Sequence, residues 1–262
     1  MLLAIDIGNT NIAFGVHNNA RWINHWRIRT VPDQMPDEYG VLFRELLRHR
    51  GLAMSDIHRA ILCSVVPPLT GALAQMLQQE LEPGSDQETG RFPLIVGPGI
   101  RTGVRIRTDN PAEVGGDLVA NAVAAHTLYP GNCIVVDFGT ALTFTAVDAA
   151  GDLMGVAIAP GLNSAAAALS SKTAQLPQVR LVPPPAAIGR NTVHSIQSGV
   201  VFGYVGLVET LVQRMRQELG GEAQAIATGG LSHVIAPLTN QFKAVEPWLT
   251  LDGLRLIAER NA

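Results

Sequence analysis

The sequence predicts an α/β protein built from two similar lobes, each a mixed β-sheet flanked by helices. The segments AIDIGNTNIAFGV (4–16) and VVDFGTALTFTAV (135–147) both run along an apolar strand to Asp, Gly and Thr and then continue as a second strand. Each hairpin is followed by a third strand and a helix, and strands then alternate with helices, which is typical of α/β architecture. We expect an N-terminal lobe at 1–118 and a C-terminal lobe at 119–262, facing a cleft.

The composition indicates a globular protein without a surface for nucleic acid or membrane lipid. The 262 residues are 47% hydrophobic and 16% charged, and the formal net charge of −3 offers no basic footprint. No run of about 18 apolar residues occurs, so no membrane span is expected. The N-terminus MLLAIDIGNT reaches an acid at Asp6 and is predicted as a first strand, not a signal peptide. Cys63 and Cys133, both in apolar runs, are expected to be buried reduced thiols of a cytoplasmic protein.

Two kinds of apolar pattern predict the remaining elements. Short runs rich in β-branched residues indicate strands, and apolar residues at helical spacing indicate helices. Strands are expected at 2–6, 11–17, 23–29, 59–64, 93–96, 133–137, 142–148, 153–159, 179–182, 224–228 and 243–245. Helices are expected at 38–50, 69–80, 111–128, 163–170, 193–219 and 251–259. A cluster of Gly, Ser, Asp and Glu at 83–91 predicts a surface loop.

The first hairpin carries a carboxylate at the end of an apolar strand, in the motif DIGNTN. Gly8 allows a ligand to approach the backbone, and the three polar residues after it add amide and hydroxyl groups to a turn that can hold an anion. A carboxylate beside a phosphate needs a cation between them, so Asp6 predicts a Mg²⁺ site completed by substrate phosphates. A plain hairpin with Asn and Gly turn chemistry is the structural alternative.

The second hairpin repeats this chemistry with more hydroxyl groups. DFGTALT has an acid and a glycine, followed by Thr140 and Thr143. Further along, the strand in AIATGGLS leads into Gly229 and Gly230, where a base or ribose could lie against the backbone, and a helix is predicted from near Ser232. Two acid hairpins followed by this glycine turn resemble the actin/hexokinase/Hsp70 ATPase superfamily. That resemblance implies ribonuclease-H-like, actin-like lobes with a nucleotide in the cleft.

A third carboxylate is predicted at the start of a long helix, in RTDNPAEVGGDLVANAVAAH. Asn110 suits the N-cap, Pro111 the first helical position and Glu113 the capping-box position. Asp117 then falls in the second turn, after two glycines. Each glycine costs a helix about 1 kcal/mol relative to alanine, so we expect something to approach the backbone closely there. A carboxylate at such a place is a candidate general base for a substrate hydroxyl, and a solvated surface Asp is the alternative.

Taken together, the motifs resemble those of the type III pantothenate kinases, which catalyse the first step of coenzyme A synthesis. The matching segments follow the family order over nearly the whole chain. They are DIGNTN, GPGIRTG, DNPAEVGGDLVANAVAA, VVDFGTALTFTAVD, GVAIAPGL, SSKTAQLP, IGRNTVHSIQSG, ATGGLS and PWLTLDGLRLIAERN.

The resemblance implies that ATP phosphorylates the 4′-hydroxyl of pantothenate, with Mg²⁺ and a monovalent cation, K⁺ or NH₄⁺, as cofactors. Asp117 would act as the base, Asp6 would address Mg²⁺, and Asp137 would lie at the monovalent cation. The predicted ATP-binding residues are Asp6, Ile7, Gly8, Asn9, Thr10, Asn11, Ile12, Ala13, Thr140, Gly229 and Gly230. The predicted substrate-binding residues are Thr108, Gly115, Gly116, Asp117, Leu118 and Thr192. Family members are homodimers with the substrate pocket near the dimer interface.

Two positions depart from the family pattern, and both lie on the pantothenate side. Leu118 occupies the place of an Arg that usually follows the catalytic Asp, and Thr108 occupies the place of a Tyr before the DNP segment. Leucine cannot keep an ion pair or hydrogen bond made by a guanidinium. Two alternatives to the pantothenate kinase therefore stay open. One is a non-catalytic or regulatory nucleotide-binding homologue, and the other is a kinase of the same superfamily acting on another small alcohol.

Overall fold

The chain forms two five-stranded mixed β-sheets with helices against them, in a computed structural model that describes residues 1–81, 92–173 and 175–262. The strands are β1 (Leu2–Ile7), β2 (Asn11–His17), β3 (Trp22–Arg29), β4 (Arg59–Ser64), β5 (Leu94–Ile95), β6 (Cys133–Phe138), β7 (Ala141–Val147), β8 (Leu153–Pro160), β9 (Gln224–Thr228) and β10 (Phe242–Val245). The α-helices are α1 (Pro36–Arg48), α2 (Pro67–Glu80), α3 (Gly116–Leu128), α4 (Leu162–Ser171), α5 (Thr192–Gln197), α6 (Gly203–Glu218), α7 (Ser232–Ile235) and α8 (Leu249–Arg260). The α/β fold class predicted from the sequence is confirmed.

Two compact units divide the chain. Unit 1 contains Met1–Gly103, Ala112–Ala124 and Thr250–Ala262, and unit 2 contains Val104–Pro111 and Ala125–Leu249. The last helix therefore belongs largely to unit 1, although it follows all of unit 2 in sequence. The boundary predicted after residue 118 falls inside α3.

The two sheets have the same topology, which confirms that the hairpin repeat reflects a structural repeat. The first sheet has the strand order β3-β2-β1-β4-β5, and the second has the order β8-β7-β6-β9-β10. In each sheet the first strand pairs antiparallel with the second and parallel with the fourth. The same sequence of strand, turn and strand thus opens both units.

Alternation along β1 and β6 directs the acids away from the main apolar clusters. Ile5 and Ile7 of β1 belong to the core cluster of unit 1, and Val136 and Phe138 of β6 belong to that of unit 2. Because neighbouring residues of a strand point to opposite faces, Asp6 and Asp137 lie on the other face of their sheets. Each acid is the penultimate residue of its strand.

One long helix in unit 2 is made of α5, a π-helical turn at Ser198–Phe202, and α6. By length and composition alone, Thr192–Glu218 could cross a membrane, and among the described residues it alone passes that test. In the structure its apolar residues Val200, Val208 and Val212 are buried in the core cluster of unit 2. One face of this helix therefore packs into the core of unit 2.

Two predicted elements differ from the structure. No strand forms at 179–182. The Arg180 carbonyl there accepts hydrogen bonds from the Val182 N–H at 3.1 Å and from the Gln197 side chain at 2.8 Å. The helix predicted at 111–128 begins as a 3₁₀ turn at Pro111–Glu113, and the α-helix starts only at Gly116. Asn110 is therefore not the N-cap of α3, and Asp117 lies in its first turn, not its second. The other predicted strands and helices overlap observed ones, and the loop predicted at 83–91 lies outside the described residues.

The C-terminal helix packs closely on α3 within unit 1. Gly253 of α8 lies against the backbone of Ala120, where a Cβ would overlap the Ala120 carbonyl oxygen. The Thr250 hydroxyl donates to Oδ1 of Asn121, a fully buried residue, at 2.9 Å. Asp252 accepts a hydrogen bond from Nε1 of Trp22 in β3 at 2.8 Å. The last helix therefore holds α3 from one side.

We predict that Gly253→Ala lowers the free energy of unfolding by about 1–3 kcal/mol, because the added methyl group cannot fit against a backbone carbonyl. Gly71→Ala is the matched control, since Gly71 is an exposed residue of α2 with open space around its Cα. It should stabilise the protein by about 0.5–1 kcal/mol through helix propensity. Urea denaturation measures both. Equal effects of the two substitutions would contradict the packing described for α8.

Candidate active site

The turn after β1 presents polar groups on a backbone that is fixed by hydrogen bonds within the turn and from Thr30. The Gly8 N–H donates to the Asn11 carbonyl at 3.0 Å, which closes the turn. Thr30, a buried residue after β3, donates from its hydroxyl to the Gly8 carbonyl at 2.6 Å, and its N–H donates to the Thr10 carbonyl at 3.0 Å. Asn9, Thr10 and Asn11 are exposed, so their side chains can meet a ligand. The turn therefore has polar side chains on its exposed surface and a backbone held by hydrogen bonds from Thr30, which suits an anion site.

The apolar members of the predicted ATP set are placed differently. Ile7 and Ile12 are fully buried in the core of unit 1, and Ala13 is nearly so. Their side chains are enclosed by the fold, which leaves their main-chain groups as the atoms able to contact a nucleotide.

Asp6 has a close partner on the neighbouring strand that the sequence did not reveal. Cys63 of β4 stands directly opposite Asp6 in the parallel register. Its Sγ donates a hydrogen bond to Asp6 Oδ1 at 3.2 Å, and the residue is fully buried. Burial raises the pKa of the Cys63 thiol well above its usual value, and the Asp6 and Asp117 carboxylates raise it further. The thiol therefore stays protonated, in contact with one carboxylate and within the field of the second.

The start of α3 lies against the same end of β4. A Cβ on Gly116 would be 3.3 Å from Cβ of Cys63 and 3.3 Å from Cγ1 of Val96, so only a glycine lets the helix come this close without displacement. A Cβ on Gly115 would overlap Oδ1 of Asp117. The two glycines, predicted to mark a close approach, accommodate Asp117 and the β4 strand. Unit 1 thus brings Asp6 and Asp117 together around Cys63.

The environment of Asp117 suits a general base. Burial raises the pKa of the Asp117 carboxyl above its ordinary value, and hydrogen bonds from the backbone N–H groups of Leu118 and of Asp117 itself offset part of that rise. A carboxylate with a raised pKa accepts a proton more readily than an exposed one does.

In unit 2, Asp137 is enclosed by the glycine turn that follows β9. Gly229 has a φ of 86°, and a Cβ there would overlap Oδ1 of Asp137 and lie 2.7 Å from the backbone of Phe138. The turn is closed by the Ser232 hydroxyl, which donates to the Gly229 carbonyl at 2.8 Å. The Asp137 side chain therefore fills the space that a Cβ on Gly229 would need, so a glycine at this position makes room for the acid.

Thr140 is placed by the N-terminal end of α4. The Gly161 N–H and the Ser164 hydroxyl both donate to the Thr140 carbonyl, each at 3.1 Å. A Cβ on Gly161 would overlap that same carbonyl and lie 2.6 Å from the Gly139 carbonyl. These contacts fix the second turn as Thr30 fixes the first.

Metal ligation in either turn would rest on few protein ligands. No group of three or more His, Cys, Asp or Glu side chains that could hold a metal ion by themselves is found within residues 1–81, 92–173 and 175–262. Mg²⁺ is commonly held by one or two carboxylates, the rest of its shell coming from water and substrate phosphates. The single carboxylate of Asp6, at the edge of an exposed hydroxyl- and amide-rich turn, fits that donor set. The Asp137 carboxylate, which lies beside Gly229, offers oxygen ligands of the kind that a hard monovalent cation takes.

The predicted substrate residues are distributed over both units. Leu118 is buried, at 8% exposure, so an interior apolar side chain stands where the family has Arg. Thr108 has a buried Oγ1 without a hydrogen-bond partner among the described residues. Thr192, at the start of α5, lines a pocket of about 490 Å³ within unit 2 together with Ser195, Tyr204 and several apolar residues of α4, α5 and the π turn.

Comparison with known proteins identifies the family. A family model for type III pantothenate kinase matches residues 2–214. The chain belongs to the type III pantothenate kinase family. A type III pantothenate kinase from Moorella thermoacetica is 46% identical over 261 residues, which cover all of both chains. One from Geobacter sulfurreducens is 48% identical over 261 residues, covering 100% of this chain and 99% of that protein.

A solved structure shows the fold at lower sequence identity. The activator of the 2-hydroxyisocaproyl-CoA dehydratase from Clostridium difficile, solved with bound ADPNP, superposes with a TM-score of 0.51 and 11% identity. The match covers 99% of this chain and 95% of that one. The architecture of type III pantothenate kinases is thus shared with a distant protein.

The stability of this type III pantothenate kinase should reveal the cost of burying Asp117. Because the folded-state pKa is raised, folding disfavours the ionised carboxylate, and that penalty is present at pH values above the raised pKa. Asp117→Asn should therefore raise the free energy of unfolding at pH 8. The advantage should shrink as the pH falls through the raised pKa toward the ordinary carboxyl pKa, and it should vanish below the ordinary value, where the wild-type side chain is protonated in both states.

Urea denaturation of wild type and Asp117→Asn between pH 5 and pH 8 measures this difference. A variant that is less stable than the wild type by the same amount at every pH would contradict the buried-carboxylate description. Asp33→Asn is a suitable control, because Asp33 is exposed.

Proposed function

We propose that the chain is a cytoplasmic type III pantothenate kinase, which transfers the γ-phosphate of ATP to the 4′-hydroxyl of pantothenate as the first step of coenzyme A biosynthesis. The observation that carries the proposal is the placement of Asp117, partly buried and with a raised carboxyl pKa, beside Cys63 and Asp6 in unit 1. Full-length relatives named for this reaction support it. In this account the halves 1–118 and 119–262 correspond to the two ATPase lobes.

Asp117 is proposed to accept the proton of the 4′-hydroxyl as that oxygen attacks the γ-phosphorus. Phosphoryl transfer needs little covalent help from the protein, and positioning with charge neutralisation supplies most of the catalysis. The γ-phosphate–oxygen bond of ATP breaks, a new bond to the pantothenate oxygen forms, and ADP leaves. The polar turn of Gly8, Asn9, Thr10 and Asn11 is proposed to hold ATP phosphates through backbone N–H groups and exposed side chains.

Cations are proposed at the two acids. Asp6 would hold Mg²⁺ together with ATP phosphates, and Asp137 would hold K⁺ or NH₄⁺ in unit 2, where Thr140 contacts ATP. Such cations neutralise phosphate charge, a task for which P-loop enzymes use a lysine in addition to Mg²⁺. Gly229 and Gly230 would contribute backbone groups around Asp137. The Asp137 carboxylate already occupies the space where a Gly229 side chain would lie.

The residues proposed to bind pantothenate are Gly115, Gly116 and Asp117, which belong to unit 1, and Thr108 and Thr192, which belong to unit 2. Two observations support this assignment: the Thr108 hydroxyl has no hydrogen-bond partner in the part of the chain that the structure describes, and Thr192 lies on a pocket. The buried Leu118 cannot replace an Arg donor, so recognition of the pantothenate carboxylate must come from other groups. We also propose that the chain forms a homodimer and has neither nucleic acid nor membrane as a partner, in keeping with its net charge of −3.

The direct test is release of ADP from ATP with pantothenate, Mg²⁺ and K⁺. The wild type should turn over, and Asp117→Asn should lower kcat by about 10²–10⁴-fold, because the base is lost while its shape is kept. Asp33→Asn, an exposed acid-to-amide change in the same unit, should retain wild-type kcat. A wild type that releases no pantothenate-dependent ADP would refute the kinase assignment, and a wild type no faster than Asp117→Asn would refute the role of Asp117 as the base.

Replacing K⁺ with Na⁺ tests Asp137 separately. The wild-type rate should fall in Na⁺, because the smaller ion fits the same oxygen ligands less well, and Asp137→Asn should lose the difference between the two salts. The same ADP-release assay measures both proteins. A wild-type rate indifferent to K⁺ or Na⁺ would remove the cation role from Asp137 and leave the role of Asp117 intact.

A further inference from the structure

Cys63 occupies the one place where β1, β4 and the start of α3 meet. It pairs with Asp6 across the parallel β1–β4 register, and its thiol donates to Asp6 Oδ1 at 3.2 Å. Cys63 also lies close to the start of α3, because a Cβ added to Gly116 would be only 3.3 Å from the Cβ of Cys63. The side chain is fully buried, so this contact is shielded from bulk water.

The second unit repeats this arrangement with a different residue. Asp137 of β6 pairs with Thr228 of β9 in the same parallel register as Asp6 with Cys63. Thr228 is 1% exposed, and like cysteine it carries a hydrogen-bond donor on its Cβ. Both units therefore place a small buried donor on the strand beside the acid, at the same point of the repeat. Ordinary core packing would be served equally by alanine or valine.

We propose that Cys63 is a positioning residue for phosphoryl transfer, whose thiol holds the Asp6 carboxylate in the orientation in which Asp6 addresses Mg²⁺. The inference rests on the proposed function, because it presupposes that Asp6 is a Mg²⁺ ligand. Without the donor, the Asp6 side chain gains rotational freedom, and the metal must restrict that freedom when it binds.

Binding of a non-hydrolysable ATP analogue, measured by calorimetry with and without Mg²⁺, tests this role without turnover. Cys63→Ala removes the donor, and Cys63→Ser keeps one. We expect Cys63→Ala to weaken the Mg²⁺-dependent affinity by about 3- to 10-fold, the range for losing one hydrogen bond, and Cys63→Ser to stay within about two-fold of the wild type. Binding without Mg²⁺ should be the same in all three proteins.

Two controls separate positioning from packing. Cys133→Ala removes the other buried thiol, which donates to the Tyr129 carbonyl in unit 2 at 3.0 Å, and it should leave Mg²⁺-dependent binding unchanged. Cys63→Thr and Cys63→Val form a second pair, nearly identical in shape and differing in the donor. They carry the test if Cys63→Ala fails to fold, which its thermal unfolding would show.

The outcomes distinguish this inference from the proposed function. Equal affinities of the Ala and Ser variants, or losses that are the same with and without Mg²⁺, would overturn the positioning role of Cys63. Asp6→Asn, assayed alongside, should abolish the Mg²⁺ dependence. If Asp6→Asn binds the analogue as the wild type does, the proposed role of Asp6 fails and the inference fails with it.

Discussion

The close approach of α3 to the end of β4 governs the arrangement of the candidate site in unit 1. It is possible because Gly116 has no side chain to meet Cys63 and Val96. The approach places Asp117 in a partly buried position, and burial raises the pKa of its carboxyl above its ordinary value. On the far side, α8 holds α3 through Gly253 and through the hydrogen bond from Thr250 to Asn121. The packing of α8 on α3 and of α3 on β4 therefore determines the burial of Asp117, and that burial raises the pKa of its carboxyl.

The duplicated hairpin supplies the same framework twice with different chemistry. In both units the acid is the penultimate residue of the first strand and points away from the apolar core. In unit 1 the neighbouring strand offers the thiol of Cys63, and the following turn is rich in amides. In unit 2 the neighbouring strand ends in Thr228, and the turn after it encloses Asp137 through Gly229. The repeat therefore fixes where a carboxylate stands, and the local residues determine what surrounds it.

Much of the fold was predictable because its signals are local. The two hairpins, the alternation along β1 and β6, and the helical spacing of α3 and α6 are each written in a few consecutive residues. The start of α3 was predicted at Pro111 and lies at Gly116, because the segment Pro111–Glu113 forms a separate 3₁₀ turn that the capping pattern does not distinguish from an α-helix. The strand expected at 179–182 does not form, and the Arg180 carbonyl there accepts a hydrogen bond from the side chain of Gln197 in the long helix.

The part of the site that escaped prediction depends on contacts between distant segments. Cys63 reads as an ordinary buried thiol until the β1–β4 register places it opposite Asp6, 57 residues away in sequence. Gly229 was predicted as a place where a nucleotide approaches the backbone, and the fold shows that it makes room for Asp137, which the sequence did not reveal. The sequence identified Gly116 and Gly229 as places of close approach, and the folded structure shows that Cys63 lies against Gly116 and Asp137 against Gly229.

The central claim is that Asp117 faces the hydroxyl that becomes phosphorylated. A crystal structure with pantothenate, Mg²⁺ and a non-hydrolysable ATP analogue tests it most directly. The account predicts an Asp117 carboxylate oxygen within about 2.6–3.2 Å of the 4′-hydroxyl, with that hydroxyl directed at the γ-phosphorus. A pantothenate whose 4′-hydroxyl lies against a different side chain, with Asp117 left without a substrate contact, would contradict it.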